Sequence, residues 1–96
     1  MRSSNQQPLK EAISMMLEEF RLQEKIQGAK LQNQWEQIAG KTIARYTRSI
    51  RVHQKKLYLE IDSAPLKNDL QYLKGRLMER INETIGPGFV EEVFIR

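Results

Sequence analysis

Apolar residues recur at helical spacing along the first half of the chain. A first stripe predicts a helix over about 8–25 that begins near Pro8 and ends before Gly28. This stripe consists of Leu9, Ile13, Met16, Leu17 and Phe20. A second stripe keeps its phase through Gly40 and predicts a second helix over about 30–46. Its members are Leu31, Trp35, Ile38, Ala39, Thr42, Ile43 and Tyr46. The central position of Trp35 favours a place in the core over one at an interface.

The apolar period then changes to two, which is typical of strands. Residues 49–53 and 57–62 each alternate apolar and polar side chains. We expect a hairpin turn centred on Gln54-Lys55, although tight hairpins prefer Asn-Gly at this place. The predicted pairs are Val52 with Leu57 and Ile50 with Leu59 on the core side, and Arg51 with Tyr58 and Ser49 with Glu60 on the outer side.

The last third of the chain carries one more helix and one more strand. Ser63 and Pro65 are typical of a helix start, and an apolar stripe extends this helix to about residue 84. The stripe consists of Leu66, Leu70, Leu73, Leu77 and Ile81. Gly86 ends the helix, and the tail predicts a strand over 89–95 with apolar residues on both faces. Two alternatives fit that strand: one side covers a partner or a second copy, or the strand is central and buried on both faces.

The order α-α-β-β-α-β predicts the α+β class, with a three-stranded sheet and the helices packed on one face. The 96 residues suit one domain over residues 8–96, preceded by a flexible N-terminus over residues 1–7. Without cysteine, the chain has neither disulfides nor thiolate metal sites. We expect a soluble, cytoplasmic protein with no membrane contact, because the sequence has neither a bilayer-spanning apolar run nor the apolar centre of a secretory signal.

Positive charge is concentrated in one part of the chain. The net charge is +4, yet residues 37–58 contain no carboxylate. The cationic residues of this segment are Lys41, Arg45, Arg48, Arg51, Lys55 and Lys56. Such a local excess indicates a surface for phosphates or for an acidic protein, and a solvated face without a partner is the competing interpretation.

The chain offers little for catalysis or metal binding. Its one histidine, His53, lies at the predicted hairpin tip with no candidate triad around it. Glu60 and Asp62 are typical of the solvated face of a strand. No phosphate-binding glycine loop occurs, and no cluster has the residue types and spacing of a metal site. We therefore expect a non-enzyme without catalytic residues, metal, other cofactor or small-molecule substrate.

The basic segment supplies candidate binding residues instead. Lys41 and Arg45 are one helical turn apart and share a face. Tyr58 beside Arg51 on the outer sheet face suits the stacking of an unpaired base, and cross-strand packing is the competing interpretation. The predicted nucleic-acid surface consists of Lys41, Arg45, Arg48, Arg51, His53, Lys55, Lys56 and Tyr58.

The chain resembles the DciA-type domain family in three segments that occur in the same order. The segments are WEQIAGKTIARYT, LYLEIDSAPLKNDLQYLKGRLMERINETIG and the closing VEEVFIR. Their shared features include Trp35, Gly40 and Ile43-Ala44, followed by Asp69-Leu70 and Ile81-Asn82. The resemblance covers about residues 9–96. It implies a KH-like domain, and an adaptor that binds DNA and helps to load the replicative DnaB-type helicase.

Together these observations predict a non-enzymatic adaptor that binds single- or double-stranded DNA through its basic helix and hairpin. The replicative helicase is the expected protein partner, and the acidic outer face of the first helix, with Glu18 and Glu19, is a candidate contact surface. Two alternatives stay open. One is a KH-like RNA-binding or ribosome-associated protein, and the other is a protein-interaction module whose basic face meets an acidic partner.

Overall fold

A computed structural model describes the backbone of residues 2–96 and the side chains of residues 8–96. The flexible N-terminus predicted for residues 1–7 lies outside the residues whose side chains are described. The single domain over residues 8–96 likewise stays a prediction. The elements are α1 (Arg2–Ala39), α2 (Lys41–Tyr46), β1 (Thr47–His53), β2 (Lys56–Ile61), α3 (Ala64–Tyr72), α4 (Lys74–Ile85) and β3 (Glu92–Ile95).

The three strands form one sheet in the order β1-β2-β3, so β2 is central. The hairpin pair β1–β2 is antiparallel, and β3 returns parallel to β2 after the two helices α3 and α4. Apolar side chains from one face of the sheet pack with the helices into a single core. The predicted α+β class, with helices against a three-stranded sheet, is confirmed. Its KH-like character stays a prediction.

The hairpin register follows the prediction at every expected pair. Val52 lies opposite Leu57 and Ile50 opposite Leu59, and Arg51 and Ser49 lie opposite Tyr58 and Glu60. The two turn residues, Gln54 and Lys55, have φ angles of 50° and 63°. These positive angles match the twist of a two-residue hairpin, in which glycine and asparagine are the usual residues. The alternating pattern therefore fixes the register even with unfavourable turn residues.

The predicted helix boundaries at the two glycines are wrong. Helix α1 runs through Gly28 without a break, because one glycine costs only about 1 kcal/mol among good helix formers. Gly40 instead ends α1 and caps α2 with φ 94° and ψ 162°, a conformation that almost only glycine adopts. The two predicted helices over 8–25 and 30–46 are therefore one long helix followed by a six-residue helix.

The single helix predicted up to about residue 84 is also wrong, because it divides at Leu73. The predicted start is confirmed: the Ser63 hydroxyl accepts a hydrogen bond of 3.3 Å from the Leu66 N–H, with Pro65 in the first turn. At the division, the Leu73 N–H donates to the Leu70 carbonyl, three residues back. This tight turn exposes Leu73 while Leu70 and Leu77 remain in the core.

The last strand is shorter than the predicted 89–95 and is not central. Phe89 and Val90 are buried before the strand begins. The side-chain amide of Asn82 donates from Nδ2 to the Val90 carbonyl at 2.9 Å and accepts at Oδ1 from the Val90 N–H at 2.8 Å. Val93 and Ile95 then face the core. Because β3 is an edge strand with Phe94 on the outer face, the alternative of a strand buried on both faces is wrong.

Candidate nucleic-acid interface

Helix α2 and the start of β1 are held in place by a chain of hydrogen bonds from α1. The Trp35 indole donates to the Thr47 hydroxyl at 2.9 Å, and that hydroxyl donates to the Ile43 carbonyl at 2.6 Å. Trp35 itself is buried, as predicted. Lys41 and Arg45 lie one turn apart on the short helix fixed in this way, and both are exposed.

A β-bulge directs Arg48 to solvent. The register shifts between Thr47 and Ser49, so that Thr47 lies opposite Ile61 and Arg48 is the extra residue. Without the bulge, simple alternation would place Arg48 on the core side with Ile50. With it, Thr47 turns towards Trp35 and the Arg48 side chain is 70% exposed. The bulge thus adds a cation to the surface next to α2.

The outer face of the sheet carries a row of three aligned side chains. Arg51 lies opposite Tyr58, and Tyr58 lies beside Phe94. The rings of Tyr58 and Phe94 stack with centroids 5.3 Å apart and an angle of 13° between their planes. Tyr58 therefore has a cross-strand packing partner, and its role in stacking a base stays a prediction.

The basic segment is free of acids along the sequence but not in space. Asp62 lies 3.8 Å from Arg48, and Glu91 lies 3.5 Å from Lys55. All four side chains are more than half exposed, so these ion pairs are weak and a phosphate can displace the carboxylates. At the hairpin tip, His53 is exposed and lies opposite Lys56. Within the part of the chain whose side chains are described, the cations with no carboxylate within 4.0 Å include Lys41, Arg45, Arg51 and Lys56.

A groove separates α1 from the free edge of β1, and we call it the β1 groove. It consists of two adjoining open clefts of about 760 and 460 Å³, which share Gln32, Ile50 and Arg51. The smaller cleft also includes Arg48, and the larger includes His53. The Gln32 amide donates to the Ile50 carbonyl at 3.4 Å, which connects the two sides of the groove.

The opposite wall of the β1 groove contains two cations that were not among the predicted binding residues. Arg21 and Lys25 of α1 line the larger cleft, with Glu24 between them in sequence. Their spacing of four residues places both on one helix face. The sequence prediction ended the helix near residue 25 and therefore did not place these two cations beside β1. In the structure α1 is unbroken, and this face of the helix lies along the strand.

These side chains suit the binding of an anion. The core contains no buried polar or charged side chain among residues 8–96. In the same described part of the chain, no three histidine, aspartate or glutamate side chains are grouped as a metal site requires. None of its helices combines the length and apolar composition needed to cross a membrane. The chemistry of the groove is that of exposed cations beside an edge strand, whose free N–H groups can also donate to phosphate oxygens.

The chain is similar to proteins of one family. The sequence model described as "Dna[CI] antecedent, DciA" matches residues 8–95. A UPF0232 protein of Corynebacterium glutamicum (strain R) is 30% identical over 70 residues, which cover 73% of this chain and 39% of that protein. The chain therefore spans about two fifths of the length of this relative. Since the family model covers nearly the whole chain, the chain belongs to the DciA family.

Proposed function

We propose that the chain is a non-enzymatic adaptor that binds DNA along the β1 groove and assists the loading of the DnaB-type replicative helicase. The DciA family is associated with the loading of that helicase and is not a catalytic family. Because the chain spans only part of its relative, its own contacts with DNA and with the helicase are both part of the proposal. The role belongs to the bacterial cytoplasm, where replication takes place.

The observation that carries the DNA proposal is the pair of basic walls along the β1 groove. Arg21 and Lys25 line it from α1, and Arg48 and Arg51 line it from β1. A phosphate backbone in the groove meets cations on both sides, and their long side chains can follow it without reading bases. The charge of the groove is local, since the whole chain is only +4.

Salt-dependent binding of labelled DNA tests the proposal. Fluorescence anisotropy is measured for a single-stranded oligonucleotide and for its duplex over a series of salt concentrations. The triple variant Arg45→Glu/Arg51→Glu/Lys56→Glu reverses Arg51, which lines the β1 groove, and two cations next to its lining. None of the three has a carboxylate within 4.0 Å. We expect wild-type binding to single strands to fall with a slope of about −0.7 per contacted phosphate, and the variant to bind about 100-fold more weakly or worse.

A matched control separates the groove from total charge. Lys67→Glu/Lys74→Glu/Arg76→Glu makes the same change in charge on α3 and α4, at residues that line neither cleft of the groove. We expect this control to keep most of the wild-type affinity. Equal losses in both triple variants contradict a binding site in the β1 groove, since only the net charge would then matter.

The remaining alternatives are outcomes of the same measurements. Stronger competition by an RNA of matched sequence favours an RNA-binding protein, because the 2′-hydroxyl is what distinguishes the two ligands. Absence of binding even at low salt excludes a nucleic-acid site and favours an acidic protein partner for the basic face. Recovery of the helicase on the immobilised chain after nuclease treatment tests the adaptor role without DNA.

A further inference from the structure

The N-terminal half of α1 carries an apolar stripe that no described part of the chain covers. Its residues are 49–68% exposed. They are Leu9, Ile13, Met16, Leu17 and Phe20. The same helix face continues in phase to Leu31, Trp35 and Ile38, which are buried in the core. A contiguous apolar face of this length is typical of an interaction surface.

The stripe lies on a part of α1 that projects from the body of the protein. The molecule measures 64 × 20 × 20 Å, and a helix of 38 residues is about 57 Å long. Helix α1 therefore accounts for the long dimension of the molecule. Its C-terminal half packs on the body, whereas residues 8–20 of its N-terminal half are all exposed.

We propose that the stripe of a second copy of the chain covers this stripe, in an antiparallel two-helix coiled coil. Leu9, Ile13, Met16 and Phe20 are separated by four, three and four residues, which is the alternation of d and a positions in heptads. In the antiparallel pair, Leu9 of each copy packs on Phe20 of the other, and Ile13 packs on Met16. Two-fold symmetry therefore produces four layers, all of them apolar.

Residues beside the stripe determine the direction of the second copy. In the same heptads, Lys10, Leu17 and Glu24 occupy e positions, and Ala12 and Glu19 occupy g positions. A parallel pair would place Glu19 of each copy beside Glu24 of the other, and these like charges repel. The antiparallel pair places Glu19 beside Ala12 and Lys10 beside Leu17, so no like charges meet. The aliphatic part of Lys10 then covers apolar surface while its amine stays in water.

The shape of the molecule accommodates the antiparallel pair. The layers use residues 9–20 of both helices, so the first turns of each helix lie beside the part of the other copy's α1 where its body begins. At the base of the stripe, a cleft of about 190 Å³ is lined by the apolar residues Phe20, Val52, Pro87 and Phe89 together with the polar residues Gln23, Glu24, Gln27 and Lys55. The short overlap makes a weak dimer, and we expect a dissociation constant of about 10–100 μM.

Sedimentation velocity over a range of about 1–300 μM tests the proposal. The wild type is expected to change from the mass of one copy, 11.3 kDa, to twice that mass across the range. Phe20→Glu introduces a charge into the layers and is expected to raise the dissociation constant about 30-fold or more. Leu22→Glu is the matched control, because Leu22 is 57% exposed and Phe20 56%, but Leu22 lies on the other side of the helix.

Cysteine cross-linking then tests the direction, because the chain has no cysteine of its own. Under mild oxidation, a mixture of the Leu9→Cys and Phe20→Cys variants is expected to form the mixed disulfide, and neither variant alone is expected to form a dimer. Self-linking of each single variant instead overturns the antiparallel arrangement. A wild type that keeps the mass of one copy up to about 300 μM, or equal loss in the Leu22→Glu control, overturns the proposal. Circular dichroism confirms that each variant remains folded.

Discussion

The two halves of α1 carry the same apolar period, but they have opposite environments. Leu31, Trp35 and Ile38 are at most 5% exposed, whereas Phe20 and Ile13, on the same face, are about half exposed. The difference comes from the rest of the chain: α4 and the sheet reach only the C-terminal half of the helix. An amphipathic pattern therefore indicates which face of a helix is apolar, but it does not indicate whether the same chain or a partner covers that face.

The largest expected effect is the loss of Trp35 from the buried half. Trp35→Ala leaves a cavity in the core and removes the donor to the Thr47 hydroxyl. We expect the free energy of unfolding to fall by about 3–5 kcal/mol. The measurement is urea denaturation followed by far-UV circular dichroism at about 1 μM protein, where the proposed dimer is dissociated.

Phe20→Ala is the matched substitution in the exposed half. Under the same conditions we expect a change within about 0.5 kcal/mol, because an exposed side chain leaves no cavity. A loss comparable to that of Trp35→Ala would mean that the N-terminal half packs on the body in solution. The contrast between the two halves would then be wrong.

The next effect concerns the two glycines that bound the buried half. Gly40→Ala forces a β-carbon into a backbone conformation with φ 94° and is expected to cost about 1–3 kcal/mol. Gly28→Ala is expected to stabilise the protein by about 0.5–1 kcal/mol, because Gly28 lies inside a helix and an added Cβ meets no atom within 4 Å.

Urea midpoints of these two variants, with equal slopes, measure both changes. The two changes in the free energy of unfolding are expected to have opposite signs, whereas the sequence pattern predicts a helix end at Gly28 and continuity at Gly40. A destabilising Gly28→Ala together with a neutral Gly40→Ala would restore that prediction and contradict an unbroken α1.

Features determined by neighbouring residues were the ones that the sequence predicted well. Alternation fixes the β1–β2 register, and the Ser63 hydroxyl caps the helix that follows it. The two glycines were misjudged because each had two acceptable local conformations, and the choice depends on packing elsewhere. The division at Leu73 has the same cause. The apolar spacing continues through Leu73 in the sequence, but in the structure α3 ends and α4 begins there.

The β1 groove was only half predicted, for the same physical reason. Arg48 and Arg51 belong to the basic segment and could be found from charge alone. Arg21 and Lys25 come from about 25 residues earlier, and they reach the groove only because α1 is continuous. The acids Asp62 and Glu91 come close to the basic segment only through the folding of the sheet, so a count of charges along the sequence does not predict their ion pairs.

The smallest expected effect compares two lysines of α1 in DNA binding. Lys25 lines the β1 groove, whereas Lys10 lies in the projecting half, outside both clefts of the groove. Lys25→Gln is expected to remove about one phosphate contact. This change lowers the affinity for single-stranded DNA about 3- to 5-fold near 0.1 M salt and makes the salt slope about 0.7 smaller in magnitude.

Lys10→Gln makes the same change in charge and is expected to leave the slope unchanged when both variants are measured by anisotropy at about 1 μM protein. Equal changes for the two lysines would indicate that the DNA responds to the overall charge of the helix. An unchanged slope for Lys25→Gln would confine the phosphate contacts to α2 and β1. In that case the α1 wall of the groove would shape the site without touching the ligand, and α1 as a whole would be free to serve protein contacts.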